Sequence, residues 1–457
     1  MTRATTPLSP GGGTFLPARN GLRGYLRVPG DKSISHRALL LGAVNTGPLH
    51  ITGFLQAEDT LATLAAVRAL GVEVRQQQDE LVVCGEGWEG LREPEDVINV
   101  ANSGTLIRLL PGLVASCNFL CVLTGDASVR KRPMARVIKP LAAMGAYVTS
   151  RANDTLPPIA IRGGHLQGIS YTLPVASAQV KSCLLLAGLR AEGETVIEEP
   201  GPSRDHTERL LRHAGVLVER EGDPIGPGIL RIKPTEQLVL DHIAVPGDFS
   251  SAAFFLVGAL LVPESEVTIT GVGLNPTRTG LLDVLARMGA TFEVYPDPDP
   301  GPEPTGTLVA RTSKLEATEV TPSEVSLLID ELPLFMLAAA KASGRSVIRG
   351  ASELRAKESD RLSAMSAFLH ALGIECVEYP DGMEIAGNPN GWEGGSVRSF
   401  GDHRLAMVGA IAGAASRAGV YVDDVGCVAV SYPGFVETLG QLGGWFTQQE
   451  EVTGSKE

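Results

Sequence analysis

Positive charge is scarce in this sequence. Its 457 residues include 39 lysines and arginines against 52 aspartates and glutamates, so the formal net charge is −13. A net-acidic protein repels phosphodiester backbones and anionic lipids, and we therefore expect no nucleic-acid partner and no membrane-surface partner. A small anionic ligand fits such a chain only where cations are concentrated locally.

Long apolar runs and paired cysteines are missing as well. The longest apolar run, residues 252–262, is far shorter than the ~20 residues that cross a bilayer. The six cysteines form no C-x-x-C pair and mostly stand in apolar stretches, which is typical of buried free thiols in a reducing compartment. The opening MTRATTPLSPGGG lacks the apolar core of a secretory signal. We expect a flexible leader, a cytoplasmic location and no bound metal.

Aromatic residues are few, at 5%, whereas 53 glycines and 30 prolines are present. This composition favours many short elements joined by tight turns over a few long helices. A chain of 457 residues with 44% hydrophobic content exceeds one typical hydrophobic core, so we expect two or three domains.

A recurring pattern divides the chain into six units. Amphipathic stretches end in an apolar residue and a glycine, and a short strand-like run follows. We interpret each as a helix that is closed by a glycine in the left-handed region and followed by a strand, which predicts an α/β fold of similar modules. The six glycines are 70 to 84 residues apart, at Gly71, Gly145, Gly215, Gly289, Gly373 and Gly443.

Each unit also contains a second, more apolar helix, which indicates burial on nearly all sides. The free N–H groups and the positive dipole end of such helices are natural anion-binding positions. These predicted helices open with small or polar residues, at Asp31-Lys32-Ser33, Asn102-Ser103-Gly104-Thr105, Ser177-Ala178-Gln179, Gly247-Asp248-Phe249-Ser250, Asp330-Glu331 and Gly401-Asp402-His403.

A longer repeat overlies the short one, since the segment 28–33 (VPGDKS) returns 217 residues later at 245–250 (VPGDFS). It predicts two similar domains of three units each, the first over residues 26–242 and the second over residues 1–25 plus 243–457. We expect the Pro/Asp/Gly-rich stretch 296–306 to be an exposed loop.

The two copies differ in charge. Both contain Pro-Gly-Asp-x-Ser, which we interpret as a turn and a helix cap. Lys32 and Arg37 are replaced by Phe249 and Phe254 in the second copy. Capping therefore does not require the two cations, and they are candidates for function.

Three cation-rich clusters lie in the first domain, and each has a structural alternative. Lys32, Ser33 and Arg37 converge at one helix N-terminus, which suits a phosphate or carboxylate, although a solvated first turn would look similar. Gly104 lets a ligand approach the backbone closely, but an Asn102 cap explains the residues equally well. The loop 129–133 contains three cations, and solvated surface is the alternative.

Two further clusters lie later in the first domain. The polar side chains of the segment 177–181 open an otherwise apolar helix and need partners, which a ligand would provide. Arg204 and Glu208 are four residues apart, so an intrahelical ion pair is the alternative to an anion site.

The second domain contributes carboxylates and more cations. Asp330 and Glu331 lie between apolar segments, where paired carboxylates acquire the separated pKa values that acid–base catalysis requires; a cap plus an exposed acid is the alternative. Lys357 and Arg361 are expected on one helix face with Glu358 beside them. His403 and Arg404 open the last buried helix and need a negative partner there. We expect the active site in a cleft between the two domains.

In this order the clusters resemble the enolpyruvyl transferases, and within them the branch that acts on shikimate 3-phosphate. The resemblance implies two domains of three units, with mixed sheets around buried helices, in an inverse α/β barrel. It covers about residues 20–440 and rests on Gly30-Asp31-Lys32-Ser33 with Arg37, Asn102-x-Gly104-Thr105, Arg132-Pro133, Ser177-Ala178-Gln179-x-Lys181, Lys357-Glu358-Ser359-Asp360-Arg361 and Asp402-His403-Arg404.

The resemblance implies transfer of the enolpyruvyl group of phosphoenolpyruvate to the 5-hydroxyl of shikimate 3-phosphate, with release of phosphate, in chorismate and aromatic amino acid biosynthesis. No cofactor is implied, and we expect a monomer. The implied catalytic residues are Asp330 as base at the 5-hydroxyl, Glu358 as acid–base at C3, Lys32 near the bridging oxygen and His403 in support of Glu358.

The resemblance also implies which residues hold each substrate. Shikimate 3-phosphate would be held by Lys32, Ser33, Arg37, Ser177, Ala178, Gln179, Arg204, Asp330 and Lys357. Phosphoenolpyruvate would be held by Lys32, Gly104, Arg132, Gln179, Arg361 and Arg404.

Four motifs together resemble the class II branch of the family, which is associated with tolerance of the inhibitor glyphosate: Gly30-Asp31-Lys32, Arg204-x-His206-x-Glu208, Ser177-Ala178-Gln179-x-Lys181 and Asn275-x-Thr277-Arg278. Gly104 instead favours sensitivity to glyphosate, because tolerant members often carry alanine there. The run 430–433 (VSYP) lacks a lysine that members often carry nearby. The glyphosate response and one phosphoenolpyruvate contact therefore stay open.

Two other functions are compatible with parts of the pattern. Enolpyruvyl transfer to UDP-N-acetylglucosamine shares the chemistry, but those enzymes usually open with Lys-Asn where this chain has Lys32-Ser33. They also usually carry a cysteine in the loop that holds Arg132 here, and residues 126–136 contain none. A non-catalytic anion-binding module would keep the cations without needing Asp330, Glu358 and His403 together.

Overall fold

The computed structural model describes residues 11–299 and 301–448, so most of the predicted leader, residues 1–10, lies outside the described residues. The chain divides into two compact units. The first unit comprises residues 29–246 and 301–303, and the second comprises 11–28, 247–299 and 304–448. The sequence predicts changes of domain after residues 25 and 242, whereas these units change after residues 28 and 246.

Helices alternate with short strands in both units, and none of those in the described ranges has the length and hydropathy to cross a membrane. The first unit contains α1 (Lys32–Ala43), α2 (Glu58–Ala69), α3 (Leu106–Val114), α4 (Ala135–Ala143), the single turn α5 (Arg151–Asp154), α6 (Ala178–Gly188) and α7 (His206–His213). The second contains α8 (Phe249–Leu261), α9 (Gly280–Arg287), α10 (Pro322–Leu328), α11 (Leu332–Lys341), α12 (Arg361–Ala371), α13 (His403–Ala415) and α14 (Phe435–Gln441).

Three four-stranded sheets form each unit, and all six share one topology. In each sheet the first two strands are parallel and the remaining two are antiparallel to their neighbours. The sheets of the first unit are, in spatial order, His242–Ala244, Thr46–Thr52, Glu80–Glu86 and Glu73–Gln77; Ile98–Asn99, Leu120–Thr124, Leu156–Arg162 and Tyr147–Ser150; and Ser170–Thr172, Thr195–Glu199, Gly228–Ile232 and Val218–Gly222. A two-stranded parallel sheet, Leu166–Gln167 and Ala191–Glu192, accompanies them.

The second unit repeats this arrangement. Its sheets are Arg23–Leu26, Glu266–Gly273, Thr305–Arg311 and Thr291–Pro296; Glu319–Val320, Arg345–Ile348, Gly382–Ala386 and Cys376–Tyr379; and Gly394–Val397, Gly419–Val422, Gly13–Leu16 and Trp445–Gln448. Glu266 pairs with Arg23 on one side and with Arg311 on the other, and a bulge shifts the second register between Ile269 and Val272.

The more apolar helix of each repeat is buried, as the sequence predicts. In the first unit α3 packs against α6, and in the second unit α8 packs against α11 and α13. Every residue of α8 is buried. One hydrophobic core lies in each unit. The six predicted repeats and the mixed sheets around buried helices are confirmed.

The glycine that closes the outer helix of each repeat is left-handed. All six have φ between 75° and 103°. A side chain at such a φ brings Cβ against the following carbonyl oxygen, so glycine is the residue that ends the helix there without strain. The predicted helix–glycine–strand pattern is confirmed at Gly71, Gly145, Gly215, Gly289, Gly373 and Gly443.

The repeated Pro-Gly-Asp-x-Ser segment is a turn and a cap in both copies. Asp31 caps α1 with φ −60° and ψ 121°, and Asp248 caps α8 with φ −65° and ψ 118°. A Cβ on Gly30 would lie 1.8 Å from the carbonyl oxygen of Gly53, so the turn excludes side chains. The predicted structural role of the segment is confirmed.

The expectation of an exposed loop over 296–306 is only partly correct. Residues 297–299 and 301 are exposed, but Pro296 and Thr305 belong to strands. Glu303 is only 4% exposed because it pairs with His206 of the first unit, with Glu303 Oε1 2.8 Å from His206 Nδ1. The prolines and acidic residues of the segment predict an exposed loop, but they do not predict that the side chain of Glu303 pairs with a distant histidine.

The glycine conformations make a testable contrast. Gly373 has φ +75° and Gly440 lies within α14, and at both positions an added Cβ would have open space around it to 4 Å. Gly373→Ala should lower the free energy of unfolding by about 1 kcal/mol because of left-handed strain. Gly440→Ala should raise it by about 0.5–1 kcal/mol, since alanine favours a helix interior. Urea unfolding of both variants checks this, and changes of the same sign would contradict it.

Candidate active site

The first cation lies at the N-terminus of α1. The Asp31 side chain accepts a hydrogen bond from the Ile34 N–H at 2.9 Å and caps the helix. Lys32, the first helical residue, is 2.9 Å from Asp59 Oδ2 on α2 and keeps 18% of its side chain exposed. Asp59 therefore holds the ammonium group in place while leaving it accessible to a ligand.

Arg37 is buried one turn further along α1. Its Nε donates to Thr207 Oγ1 at 2.7 Å, its Nη2 to Ser182 Oγ at 2.8 Å and its Nη1 to the Ser33 carbonyl at 2.9 Å. Among the described residues it forms no ion pair. Its pKa is lowered to about 10 by burial and, to a smaller extent, by the charge of Arg204, against the opposing effect of nearby carboxylates.

Arg204 therefore lies close to Arg37, as the clustered cations predict. The alternative of an Arg204–Glu208 helical ion pair is wrong, because α7 begins only at His206 and Glu208 pairs with Lys181 at 2.7 Å. Two neighbouring cations, one of them buried, favour an anionic ligand.

Lys181 does not contribute to this cluster. It is fully buried, and its ammonium group lies 3.0 Å from Glu199 and 2.7 Å from Glu208. The sequence predicts a ligand as the partner of the polar side chains that open this helix. For Lys181 this prediction is wrong, because its partners are carboxylates of the protein itself.

Gln179 is oriented by α3. Its Oε1 accepts from Arg108 Nη1 at 2.7 Å, and its Nε2 donates to Thr105 Oγ1 at 3.1 Å. Ser177 caps α6 by accepting from the Val180 N–H at 3.4 Å, and Ala178 is the first helical residue. The predicted contributors 177–179 therefore all lie at the N-terminus of one buried helix.

Gly104 and Arg132 lie against each other. Arg132 is 7% exposed, and a Cβ on Gly104 would come 2.0 Å from its Nη1. The cap of α3 is Thr105, and Asn102 instead donates to Asp126 at 2.6 Å. The suggested Asn102 cap is thus wrong, and the absent side chain at 104 makes room for a guanidinium group.

Asp330 is the centre of a second cluster, at the N-terminus of α11. Its Oδ1 is 3.2 Å from Lys357 Nζ and 3.4 Å from Arg361 Nη1. Its Oδ2 is 3.8 Å from Arg404 Nη2, and its backbone carbonyl accepts from Arg404 Nη1 at 3.2 Å. Three predicted substrate-binding cations thus surround the predicted base.

Arg361 is 1% exposed and contacts three carboxylates. Its Nε and Nη2 bind Asp402 at 2.8 and 3.1 Å, and Nη2 also binds Glu358 at 2.7 Å, while Nη1 approaches Asp330. Burial lowers its pKa, but the charges of the carboxylates outweigh burial and raise the pKa above the ordinary value. Arg361 begins α12 and Lys357 precedes it, so the expectation that both share a helix face is wrong.

Asp402 organises the residues around Arg361. It caps α13 by accepting from the Arg404 N–H at 3.0 Å, and Ser359 donates to it at 3.0 Å. Burial opposes its ionisation, but Arg361 outweighs burial and lowers the pKa of Asp402. His403, the first residue of α13, is 3% exposed beside this carboxylate.

The adjacent carboxylate Glu331 has a different environment. It is fully buried, accepts a hydrogen bond from Ser250 and lies 3.9 Å from Arg404 Nη1. The expectation of a cap plus an exposed acid is therefore wrong for this position, since Glu331 is buried at the N-cap position of α11 and its side chain makes no capping hydrogen bond.

The structure gathers the predicted residues into one cluster in each unit. The sequence missed four partners that hold them, namely Asp59, Ser182, Thr207 and, as the partner of Arg361, Asp402. Their contacts span 27 to 170 residues of sequence. The one feature of the sequence that could have indicated these partners is the repeat, because it places the helix N-termini of successive units in equivalent positions.

Comparison with known proteins first gives the class. The fold matches the enolpyruvyl transferase NikO of Streptomyces tendae with a TM-score of 0.77 at 19% identity, over 96% of this chain and 99% of that chain. The match to an EPSP synthase structure from Acinetobacter baumannii has a TM-score of 0.85 at 42% identity and covers 96% of this chain and 100% of that one. The architecture is that of the enolpyruvyl transferases.

The family follows from sequence. The family model described as EPSP synthase (3-phosphoshikimate 1-carboxyvinyltransferase) matches residues 17–439. A 3-phosphoshikimate 1-carboxyvinyltransferase of Citrifermentans bemidjiense is 49% identical over 93% of this chain and 98% of the relative. One from Bacillus cereus is 47% identical over 94% and 99%. The chain belongs to the EPSP synthase family.

The Asp402–Arg361 pair has a measurable effect on stability. Asp402→Asn should lower the free energy of unfolding at pH 7 by about 3 kcal/mol, since it breaks a buried ion pair. Because the pKa of Asp402 is lowered in the folded state, this contribution is present above the unfolded pKa of about 4 and is lost as pH falls through the folded value. Urea unfolding at pH 7 and in acid measures the difference.

The matched control is Asp360, which caps α12 and lies 2.9 Å from Arg355 but is 41% exposed in its side chain. Asp360→Asn should cost less than about 1 kcal/mol, since exposed pairs contribute little. Equal losses in the two variants would contradict the importance of burial here.

Proposed function

We propose that the chain transfers the enolpyruvyl group of phosphoenolpyruvate to the 5-hydroxyl of shikimate 3-phosphate and releases phosphate. Membership of the EPSP synthase family over residues 17–439 carries this proposal. The two cation clusters support it, because each substrate bears a phosphate and a carboxylate. All six cysteines are free thiols, which supports action in the reducing cytoplasm.

Shikimate 3-phosphate is assigned first to the cluster at α1, α6 and α7. Arg37, whose hydrogen bonds go to neutral oxygens, and the neighbouring Arg204 supply positive charge for a phosphate. Ser33, Ser177, Ala178 and Gln179 add hydroxyl and N–H donors at helix N-termini, where the dipole favours anions. Lys32, Asp330 and Lys357 complete the assignment.

Phosphoenolpyruvate is assigned to Lys32, Gly104, Arg132, Gln179, Arg361 and Arg404. Gly104 supports this assignment, because its lack of a side chain lets Arg132 lie beside the backbone at the start of α3. The contacts of Arg361 also support the assignment of phosphoenolpyruvate. Asp402 and Glu358 accept hydrogen bonds from its Nε and Nη2, so Nη1 is the nitrogen through which it would bind the substrate.

Asp330 acts as the base in this proposal. In the free protein its carboxylate contacts Lys357, Arg361 and Arg404. Substrate anions compete for these cations. Binding of both substrates would therefore loosen the ion pairs of Asp330 and leave its carboxylate available to the 5-hydroxyl.

The reaction then proceeds in two steps. The 5-hydroxyl oxygen bonds to C2 of phosphoenolpyruvate as Asp330 takes its proton, and Glu358 donates a proton to C3. The C–O bond to phosphate then breaks while Glu358 takes a proton back from C3, which restores the double bond. His403, beside Asp402 at the start of α13, supports Glu358, and Lys32 stabilises charge near the bridging oxygen.

Phosphate release tests the reaction directly. The purified chain should release phosphate from phosphoenolpyruvate only when shikimate 3-phosphate is present. Asp330→Asn should lower kcat by about 10²–10⁴-fold, the range for loss of a general base. Steady-state phosphate release measures both.

The controls separate the other functions. Turnover with UDP-N-acetylglucosamine in place of shikimate 3-phosphate would overturn the substrate assignment. Binding of both anions without any turnover would leave only an anion-binding module. Full activity of Asp330→Asn would remove Asp330 from the mechanism.

A methyl group at position 104 should weaken the binding of phosphoenolpyruvate without weakening the binding of shikimate 3-phosphate. Because its Cβ would lie 2.0 Å from Arg132 Nη1, the guanidinium group must move. Gly104→Ala is expected to raise KM for phosphoenolpyruvate by about tenfold, as for a lost charged hydrogen bond, with KM for shikimate 3-phosphate little changed. Gly164→Ala is the control, since the space around its added Cβ is open to 4 Å. An equal rise in both KM values would refute the assignment of Arg132.

A further inference from the structure

Arg37 differs from two other buried arginines, Arg361 and Arg278, in the kind of atom that accepts its hydrogen bonds. Arg361 is bound edge-on by Asp402, and Arg278 Nη2 lies 2.6 Å from Asp248 Oδ1. The contacts of Arg37 are instead two hydroxyl groups and a backbone carbonyl. Neutral acceptors orient a guanidinium group without forming an ion pair with it, so its charge stays available to a ligand.

The two hydroxyls have a defined direction of hydrogen bonding. Ser182 Oγ donates to the Ala178 carbonyl at 2.6 Å, which uses its only proton. In the 2.6 Å contact between the two hydroxyls, Thr207 must then be the donor. Both oxygens therefore present lone pairs to Arg37, Thr207 to Nε and Ser182 to Nη2.

The neighbouring carboxylate is kept away from Arg37. Glu208, next to Thr207 in α7, is paired with Lys181, which is next to Ser182 in α6. The ion pair and the hydroxyl pair thus join the same two helices one residue apart. Glu208 influences Arg37 only through space, by raising its pKa against the effect of burial.

We propose that Ser182 and Thr207 are positioning residues, which aim the guanidinium group of Arg37 at the anionic substrate while leaving its charge intact. The proposal rests on the function above, in which Arg37 binds shikimate 3-phosphate. Ser182 and Thr207 are 0% and 1% exposed, so they act through Arg37 and not by touching the substrate. Through Ala178 the same chain of hydrogen bonds also reaches the N-terminus of α6.

Substitutions at Thr207 separate hydrogen bonding from charge. Thr207→Val keeps the shape and removes the acceptor, and it should raise KM for shikimate 3-phosphate by about tenfold. Thr207→Ser restores the acceptor and should return KM close to the wild-type value. Thr207→Asp keeps an acceptor but neutralises Arg37, and it should weaken binding more than Thr207→Val does. KM for phosphoenolpyruvate should change little in Thr207→Val.

Thr63→Val is the matched control. Thr63 is a fully buried threonine whose hydroxyl contacts His36 Nδ1 at 2.6 Å, one residue before Arg37 on α1. Its loss disturbs the packing of the same helix without touching Arg37. Ser182→Ala provides a second removal of an acceptor, should Thr207→Val fail to fold.

Steady-state kinetics and calorimetric titration of the full chain with shikimate 3-phosphate test the proposal by measuring the KM and the dissociation constant of this substrate. A rise in its KM and dissociation constant in Thr207→Val or Ser182→Ala, with rescue by Thr207→Ser, supports the proposal. Unchanged affinity in both removals, or an equal loss in Thr63→Val, overturns it. An inactive wild-type chain that does not bind shikimate 3-phosphate would instead refute the proposed function.

Discussion

Repulsion between like charges is the constraint on which both clusters depend. Cations gathered in a buried place raise each other's free energy, and they stay charged only if the surroundings compensate. In the second unit the compensation comes from carboxylates, with Asp330, Glu358 and Asp402 all within reach of Arg361. In the first unit Lys32 has Asp59, whereas the hydrogen bonds of Arg37 go to neutral oxygens.

This difference gives the two clusters different behaviour before a ligand arrives. The carboxylates around Arg361 form a closed set of ion pairs, so an incoming anion must compete with groups that are already bound. Arg37 has no ion-pair partner among the described residues, and burial lowers its pKa although nearby carboxylates act to raise it. A phosphate that binds Arg37 would therefore gain more binding free energy per contact than one that binds Arg361, because it replaces no existing ion pair.

The fold supplies the positions of these groups. Each repeat buries one helix and closes another with a left-handed glycine, so the buried N-termini recur at equivalent places within a unit. Asp31, Ser177, Asp248 and Asp402 cap four of these helices with their side chains. A side-chain cap satisfies only part of the free N–H groups at a helix start, and the remaining ones can bind an anion.

Local pattern is enough to predict much of this. The glycine series identifies six repeats, and the exchange of Lys32 and Arg37 for Phe249 and Phe254 shows that the helix caps do not require these two cations. The partners of the cations are not predictable in this way. The sequence places Lys181 on a helix with ligand-facing polar groups, yet Glu199 and Glu208 bind it, because tertiary packing and not local periodicity decides which distant side chains meet.

The membership of residues 301–303 in the first unit has a consequence for the connectivity of the chain. The strands on both sides of this segment, Thr291–Pro296 and Thr305–Arg311, belong to the second unit. The polypeptide therefore passes between the units four times and not twice. A fragment cut at residues 29 and 246 would lack Glu303 and leave His206 without its carboxylate, so the first unit is not separable from the whole by two cuts.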